Sequence, residues 1–180
     1  MSLIAIQGVK GSYSEEAVLK MFGNTAQILE CEDFAEMFQT LQNGNANYAV
    51  VPLKNKIVGE IEIAVNLLKQ TSLKVLDELP LEVRHVLVGT QNAEFESLKS
   101  VRSHVEALKQ CRNFLSKHAQ LQQNIGADTA SSVRRIIEEN AAENAAIASR
   151  RAAEIYGAKI LKENIADDLE NWTTFYLIGN

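Results

Sequence analysis

The chain has 180 residues, of which 46% are hydrophobic and 23% charged, as is typical of a globular protein with a sizeable core. Its 23 acidic and 18 basic residues give a net charge of −5, which argues against general nucleic-acid binding because no basic excess exists to neutralise phosphates. The two widely spaced cysteines and the lack of a signal-like or long apolar segment predict a cytoplasmic protein with no membrane span.

Short apolar stretches alternate with helical patterns in the first half of the chain. In chain order these predict a strand at 3–7, a helix capped by Ser12 or Ser14, a helix capped by Asp33, a strand at 48–53 and a helix over 61–70. Pro80 then interrupts a stretch rich in β-branched residues, which predicts two strands, Leu73 to Glu78 and Glu82 to Gly89.

The second half repeats the alternation. It predicts a strand at 100–103, a helix over 104–118, a helix capped by Asp128 or Thr129, a strand and helix ending at Gly157, and two last strands. Strands alternating with helices indicate an α/β fold with mostly parallel sheets. The change near Pro80 and the return near Asn164 predict two lobes, residues 1–79 with 164–180 and residues 80–163, with a ligand cleft between them.

Polar residues follow the predicted strands in four places, GVKGSYS, PLKNK, SHVEA and ADTASS. Such loops are where parallel α/β sheets gather functional groups. Each also has a structural explanation: the serine, aspartate and threonine residues are preferred helix caps, the lysines are ordinary solvated charges, and a threonine pair suits a strand. The three histidines, His85, His104 and His118, are scattered, so we expect no metal site.

Taken together, these stretches resemble the prephenate dehydratase domain over essentially all 180 residues. The family patterns G-P-x-G-[TS]-[FY]-S, V-V-P-[IL]-E-N-S and S-H-P-Q-A-L-x-Q-C correspond to GVKGSYS, VVPLKNK and SHVEALKQC. D-T-A, A-A-I-[AG]-S, Y-G-L-x-I-L and N-I-x-D follow in order, and the closing N-x-T-R-F, which carries the catalytic threonine, corresponds to NWTTF.

The resemblance implies two α/β lobes like those of type II periplasmic binding proteins, a homodimer, no cofactor, and a site for prephenate in the cleft. Prephenate is a cyclohexadiene with a ring carboxylate, a pyruvyl side chain and a hydroxyl group across the ring. The dehydratase expels carbon dioxide and that hydroxyl group to give phenylpyruvate. The family usually adds a C-terminal regulatory domain that binds phenylalanine, and because the sequence ends at Asn180 we expect that domain to be absent.

Three motifs depart from the family pattern. T-R-F is Thr173-Thr174-Phe175, E-N-S is Lys54-Asn55-Lys56, and the P-Q of S-H-P-Q-A is Val105-Glu106. Loss of a fixed cation beside the catalytic threonine would raise the free-energy barrier for departure of the hydroxyl group. The increase would be about 2–4 kcal/mol if the lost contact resembles an oxyanion-hole donor. Added lysines would hold carboxylates or stabilise the charge that decarboxylation develops on the ring.

The lost arginine, the tryptophan at position 172 and the expected absence of a regulatory domain make the chain similar to the prephenate decarboxylases of bacilysin-type and aeruginosin biosynthesis. The first expectation is therefore non-aromatising decarboxylation of prephenate to dihydro-4-hydroxyphenylpyruvate. The retained Thr173 favours the alternative, a prephenate dehydratase of phenylalanine biosynthesis. A non-catalytic small-molecule sensor is a second alternative, because the fold resembles binding proteins.

The resemblance also implies roles for individual residues. Thr173 contacts the ring hydroxyl group or donates a proton, and Asn55 hydrogen-bonds the substrate. The remaining expected substrate contacts lie in the cleft loops and are Gly11, Ser12, Ser14, Lys54, Lys56, Asp128, Thr129, Ala130, Thr174 and Phe175.

Overall fold

The computed structural model describes residues 2–180. These residues form two compact units. Unit 1 contains the residues up to Val9, then Tyr13–Val83 and Glu170–Asn180, whereas unit 2 contains Lys10–Ser12 and Arg84–Leu169. These boundaries lie a few residues beyond 79/80 and 163/164, the positions expected from sequence. The glycine loop around Gly11 belongs to unit 2, although it was expected in the first lobe.

Eleven strands and seven α-helices form the described part of the chain, with one short 3₁₀ helix at Phe95–Ser97. Up to residue 89 the elements are β1 (Leu3–Gln7), α1 (Tyr13–Phe22), β2 (Gln27–Cys31), α2 (Phe34–Gln42), β3 (Tyr48–Asn55), β4 (Gly59–Glu60), α3 (Glu62–Lys69), β5 (Lys74–Glu82) and β6 (Val86–Gly89). The later elements are β7 (Ser100–Ser103), α4 (Val105–Gln110), α5 (Arg112–Lys117), β8 (Gln122–Ile125), α6 (Thr129–Glu139), β9 (Asn144–Ala148), α7 (Arg150–Tyr156), β10 (Lys159–Lys162) and β11 (Trp172–Gly179).

The sheet of unit 1 has the order β2-β1-β3-β11-β5, with β4 paired to β3. β1 runs parallel to β2 and β3, but β11 runs antiparallel to β3 and β5. The expectation of mostly parallel sheets is therefore wrong for this unit. The chain leaves unit 1 after β5 and re-enters it at β11, so β11 must start at the edge where β3 and β5 end.

Both faces of this sheet are covered by apolar side chains, because successive residues of a strand point to opposite sides. On one face Ile6, Val50 and Phe175 pack with Val18 of α1. On the other face strand residues including Val51 and Ile178 pack with side chains of α2 and α3. This two-sided packing makes the face of each residue in β3 and β11 well defined.

Pro80 does not divide two strands, as expected, but lies inside β5. β5 is the last strand of its sheet, where one side of the backbone needs no hydrogen-bonding partner, so proline is tolerated there. The helix expected over 104–118 is split at Cys111 into α4 and α5. β2 and β8 were not predicted, because both are short, β2 buries only Cys31 fully, and β8 is largely polar and exposed.

Unit 2 contains a second mixed sheet with the order β10-β6-β9-β7-β8. β7 runs parallel to β8 and β9, while β6 runs antiparallel to β9 and β10. Its core is built from buried side chains of the sheet and of α4 and α5. Within residues 2–180, no helix has the length and apolar character that crossing a bilayer requires.

Candidate functional site

A buried hydroxyl group lies where β3 ends and β11 begins. The side-chain nitrogen Nδ2 of Asn55, the last residue of β3, donates a hydrogen bond of 2.9 Å to Oγ1 of Thr173. The two residues are also directly paired in the strand register. Both are nearly inaccessible, with 6% of Asn55 and 8% of Thr173 exposed. The structure therefore brings together two residues that were each expected to act on the substrate.

The side chain of Asn55 is fully occupied by partners within unit 1. Besides the threonine, Nδ2 donates to Oδ1 of Asn171 at 2.9 Å and to the carbonyl of Trp172 at 3.2 Å. Oδ1 accepts hydrogen bonds from the backbone N–H groups of Ile57 and Val58 at 2.9 and 3.0 Å. An amide has two N–H donors and two acceptor lone pairs. Asn55 thus has no capacity left for a substrate, contrary to the expected direct contact, and instead orients Thr173.

Asn171 belongs to the same network, although it was not among the site residues expected from the sequence. It is fully buried, and its backbone carbonyl oxygen accepts a hydrogen bond of 2.8 Å from the backbone N–H of Val83. The sequence did contain a signal for Asn171, which is the first residue of the family pattern N-x-T-R-F. A buried asparagine that is hydrogen-bonded both to the residue after β5 and to Asn55 fixes the start of β11, and hence the position of Thr173.

The direction of the Asn55–Thr173 hydrogen bond determines what the hydroxyl group can do. Because Oγ1 accepts from the amide, the hydroxyl proton of Thr173 remains available for donation to another acceptor. The amide N–H also stabilises negative charge that develops on Oγ1 when this proton is donated. The arrangement is that of an oriented proton or hydrogen-bond donor.

Thr174 lies on the opposite face of the sheet from Thr173. Phe175 packs with the side chains on the α1 face, whereas Tyr176 packs with those on the α2 and α3 face. Alternation along β11 places Thr173 on the side of Phe175 and Thr174 on the side of Tyr176. An arginine at position 174 would therefore lie on the face opposite Thr173. The expectation that its loss removes a positive charge beside the hydroxyl group of Thr173 is not supported.

Lys54 is the direct cross-strand neighbour of Thr174. The register pairs Lys54 with Thr174 on one side and with Glu60 on the other. One extra residue in β3, Leu53, produces a bulge that brings Lys54 to this position. The family pattern has glutamate at 54 and arginine at 174, an opposite-charge pair across two strands, so the two departures change a single pair on the face away from Thr173.

The other two expected contacts in this region have partners within unit 1. Lys56 is exposed and its ammonium group lies 3.2 Å from a carboxylate oxygen of Glu170, at the surface. An exposed pair of this kind contributes little to stability. Phe175 is 2% exposed and packs in the core, so its side chain offers no surface to a ligand.

Ser14 lies in the first turn of α1 and is 6% exposed. Because α1 follows β1, its N-terminus lies at the same edge of the unit 1 sheet as the ends of β1 and β3. Asn55 and Thr173 lie at this edge too, and helix N-termini favour anions. Ser14 is therefore positioned on the element expected to hold a substrate carboxylate.

Gly11 packs against the first turn of α7 within unit 2. Its φ is +89°, and a Cβ atom added there would lie 3.2 Å from Cα of Ala152. Its carbonyl accepts a hydrogen bond of 3.3 Å from Oγ of Ser149, the N-cap of α7, and the preceding carbonyl of Lys10 accepts one of 2.6 Å from the hydroxyl of Tyr156. Glycine is thus required for both its backbone conformation and its close packing.

Replacing Gly11 with alanine should destabilise the protein by about 2–3 kcal/mol. The positive φ is unfavourable for alanine, and the new methyl group would also lie too close to the backbone of Ala152. Gly44→Ala is the matched control, since Gly44 has φ +73° and no atom within 4 Å of the added Cβ. We expect the control to cost about 1 kcal/mol in urea unfolding. Equal losses for both variants would show that the contact with α7 is unimportant.

Asp128, Thr129 and Ala130 form the start of α6 in unit 2. The carboxylate of Asp128 caps the helix by accepting a hydrogen bond of 2.7 Å from the backbone N–H of Ser131. Ala130 is completely buried, so its side chain cannot contact a ligand as expected. Only Thr129 retains a partly exposed side chain without a capping role.

The shifted titratable groups of unit 2 are structural. Burial lowers the pKa of His85, and a hydrogen bond to Gln110 at 2.8 Å opposes this only in part. Burial also raises the pKa of the Cys111 thiol to about 12, with a smaller contribution from Asp167, so this thiol is unreactive near neutral pH. No cluster of three or more potential metal ligands occurs among residues 2–180.

Comparison with known proteins gives a family match over nearly the whole chain. The family model described as prephenate dehydratase matches residues 4–180. The chain is 37% identical over 176 residues to arogenate dehydratase/prephenate dehydratase 2 of Arabidopsis thaliana, covering 98% of the chain and 46% of that protein. It spans about half the length of the curated relatives it matches.

Solved structures confirm the expected fold class. The prephenate dehydratase of Arthrobacter aurescens in complex with L-Phe superposes with a TM-score of 0.89 at 25% identity, covering 99% of this chain and 60% of that one. A periplasmic substrate-binding protein of an ABC transporter from Coxiella burnetii gives 0.51 at 11% identity, covering 99% and 84%. The second likeness is one of fold alone.

Proposed function

The chain belongs to the prephenate dehydratase family, and we propose that it is a lyase acting on prephenate or on arogenate, the substrates in the names of its relatives. The two compounds share the cyclohexadiene ring, its carboxylate and its hydroxyl group, and differ at the side chain. The reacting groups are therefore the same, and one site architecture suits both.

The reaction that the geometry supports best is dehydration coupled to decarboxylation. The observation that carries it is the hydrogen bond from Asn55 to Thr173, which leaves the hydroxyl proton of Thr173 free for donation. Departure of a hydroxyl group requires a proton donor at the leaving oxygen. Thr173 supplies that donor, and the N–H of Asn55 stabilises the negative charge that develops on Oγ1.

In this reaction the bond between the ring carbon and the carboxylate breaks, and its electron pair enters the ring. The bond from the opposite ring carbon to the hydroxyl oxygen breaks at the same time, and that oxygen leaves as water with the proton donated at Thr173. Carbon dioxide, water and an aromatic ring result. The N-terminus of α1 with Ser14 is proposed to hold a substrate carboxylate.

Dehydration replaces decarboxylation alone as our preferred function. Loss of a cation beside Thr173 was one reason to expect decarboxylation, but by the register and core packing of β11 position 174 lies on the other face of the sheet. The named relatives are dehydratases, which supports the same choice. Because both departures at 54 and 174 affect one cross-strand pair, a change in sheet electrostatics explains them without a change in chemistry.

Decarboxylation with retention of the hydroxyl group is the second candidate. It is favoured by the departures at Lys54 and Thr174 and by Trp172, which is 44% exposed directly before the reacting threonine. Incubation of the purified protein with prephenate, and separately with arogenate, distinguishes the candidates after subtraction of spontaneous acid decay. An aromatic product supports dehydration, a non-aromatic hydroxylated product supports decarboxylation, and saturable binding without turnover supports a sensor.

Thr174→Arg gives a sharper test. If position 174 lies away from the reacting hydroxyl group, the variant should give the same product as the unaltered protein. It should also be less stable by about 0.5 kcal/mol, because the new arginine faces Lys54 directly. Product identity is measured by chromatography and stability by thermal unfolding.

Lys54→Glu combined with Thr174→Arg is the control, since it places an opposite-charge pair across the same two strands. We expect it to recover the stability lost in the single variant without altering the product. If Thr174→Arg instead turns a non-aromatic product into phenylpyruvate, decarboxylation becomes the preferred function.

A further inference from the structure

A small surface cavity lies on unit 2, and none of the residues proposed to act on the substrate lines it. It has a volume of about 310 Å³ and is formed by α5, by the last residue of β10 and by the segment that follows this strand. This volume is at the lower end of the range for small-ligand sites and exceeds the size of a substituted benzene ring. The residues that determine its chemistry are Phe114, Lys117, Lys162, Ile165 and Asp167.

One wall of the cavity is apolar and rigid. Phe114 is held by other rings, with its centroid 4.7 Å from that of His118 and 6.2 Å from that of Phe95. Ile165, also in the lining, is 5% exposed and belongs to the core of unit 2. A fixed aromatic face next to an apolar floor favours a ligand with a flat apolar group.

The acidic residues at the cavity are already neutralised by neighbours. Glu163 forms an ion pair with Arg150. One carboxylate oxygen of Asp167 accepts a hydrogen bond of 2.9 Å from the backbone N–H of Asn113, and the other lies 3.5 Å from Nε of Arg112. The negative charges of Glu163 and Asp167 are therefore balanced by partners other than the lysines of the cavity.

The two lysines are not balanced in this way. Neither Lys117 nor Lys162 has an ion-pair partner within the described range 2–180. The side chain of Lys162 contacts the face of the Phe95 ring, with its ammonium nitrogen 4.6 Å from the ring centre. This cation–π contact positions the charge without neutralising it. The cavity thus presents two uncompensated positive charges beside an aromatic wall.

From this combination we propose that the cavity is a second ligand site, which binds an aryl-substituted carboxylate. The aryl ring packs against Phe114 and the carboxylate lies between the ammonium groups of Lys117 and Lys162. The site lies within unit 2 and uses none of the residues assigned to the proposed reaction, so it does not depend on that function.

Titration of the full chain with 3-phenylpropionate tests the proposal. Binding is measured by isothermal titration calorimetry and by changes of amide chemical shifts in NMR spectra. A ligand of this size should bind with a dissociation constant on the order of 1 mM. The largest shifts should occur at Phe114 and Ala166. Lys117→Gln and Lys162→Gln should each weaken binding about fivefold, as expected for a partly exposed charged contact.

Lys99→Gln is the matched control, because Lys99 is exposed on unit 2 and lies outside the cavity. It should leave the affinity unchanged, and propionate should bind far more weakly than 3-phenylpropionate. Thr173→Val should also retain binding, which separates this site from the proposed catalytic one. No saturable shift at Phe114, unchanged affinity in both lysine variants, or loss of binding in Thr173→Val would each overturn the proposal.

Discussion

Thr173→Val should reduce kcat for dehydration of prephenate or arogenate by about 10²–10⁴-fold, the range for removal of a positioned acid. Valine has nearly the shape of threonine, and Thr173 is 8% exposed, so the packing around it should be preserved. The loss would come from the missing hydroxyl proton at the leaving oxygen. The rate of formation of the aromatic product measures the effect, with circular dichroism to check the fold.

Two neighbouring substitutions make this result specific. Thr173→Ser keeps the hydroxyl group and should retain most of the activity. Thr174→Val removes a hydroxyl group from the other face of the same strand and should leave kcat within about twofold, since this face lies outside the site. A Thr173→Val variant with the unaltered rate would mean that another group protonates the leaving oxygen.

Sequence patterns were sufficient to predict the elements whose signals are local. The helices after Asp33 and Asp128 begin where their capping residues predict, since a side-chain oxygen accepts from the helix backbone in each case. The strands β1 and β3 are continuous apolar runs and were also predicted. β8 was missed because QQNI lies at the edge of its sheet and buries little apolar surface.

The properties of the site that decide its chemistry depend on long-range pairing. Asn55 and Thr173 are 118 positions apart, and the sequence could only suggest that both lie at the site. It gave no indication that Asn55 uses every donor and acceptor within the chain. Nor could alternation alone predict which face Thr174 occupies, because the bulge at Leu53 sets its register with Lys54.

The same network leads to a second prediction with a large effect. In Asn55→Asp the new carboxylate still accepts from the N–H groups of Ile57 and Val58 but can no longer donate to Thr173. The hydroxyl group of Thr173 would then donate its proton to this carboxylate, which removes that proton from the substrate. We expect kcat to fall about 10²-fold with little change in KM, because the lost interaction acts in the transition state.

Steady-state kinetics with a separate measurement of stability distinguish this positioning role from a purely structural one. The new carboxylate faces Oδ1 of Asn171, which was bonded to Asn55 at 2.9 Å, so unfolding should also become easier by about 1–3 kcal/mol. Asn47→Asp is the matched control in unit 1, since the side chain of Asn47 accepts a hydrogen bond of 2.7 Å from the N–H of Leu3 and a carboxylate can replace it. If Asn55→Asp lowered stability but left kcat unchanged, Asn55 would only hold the strands together, and the orientation of the Thr173 proton would have to be set by another group.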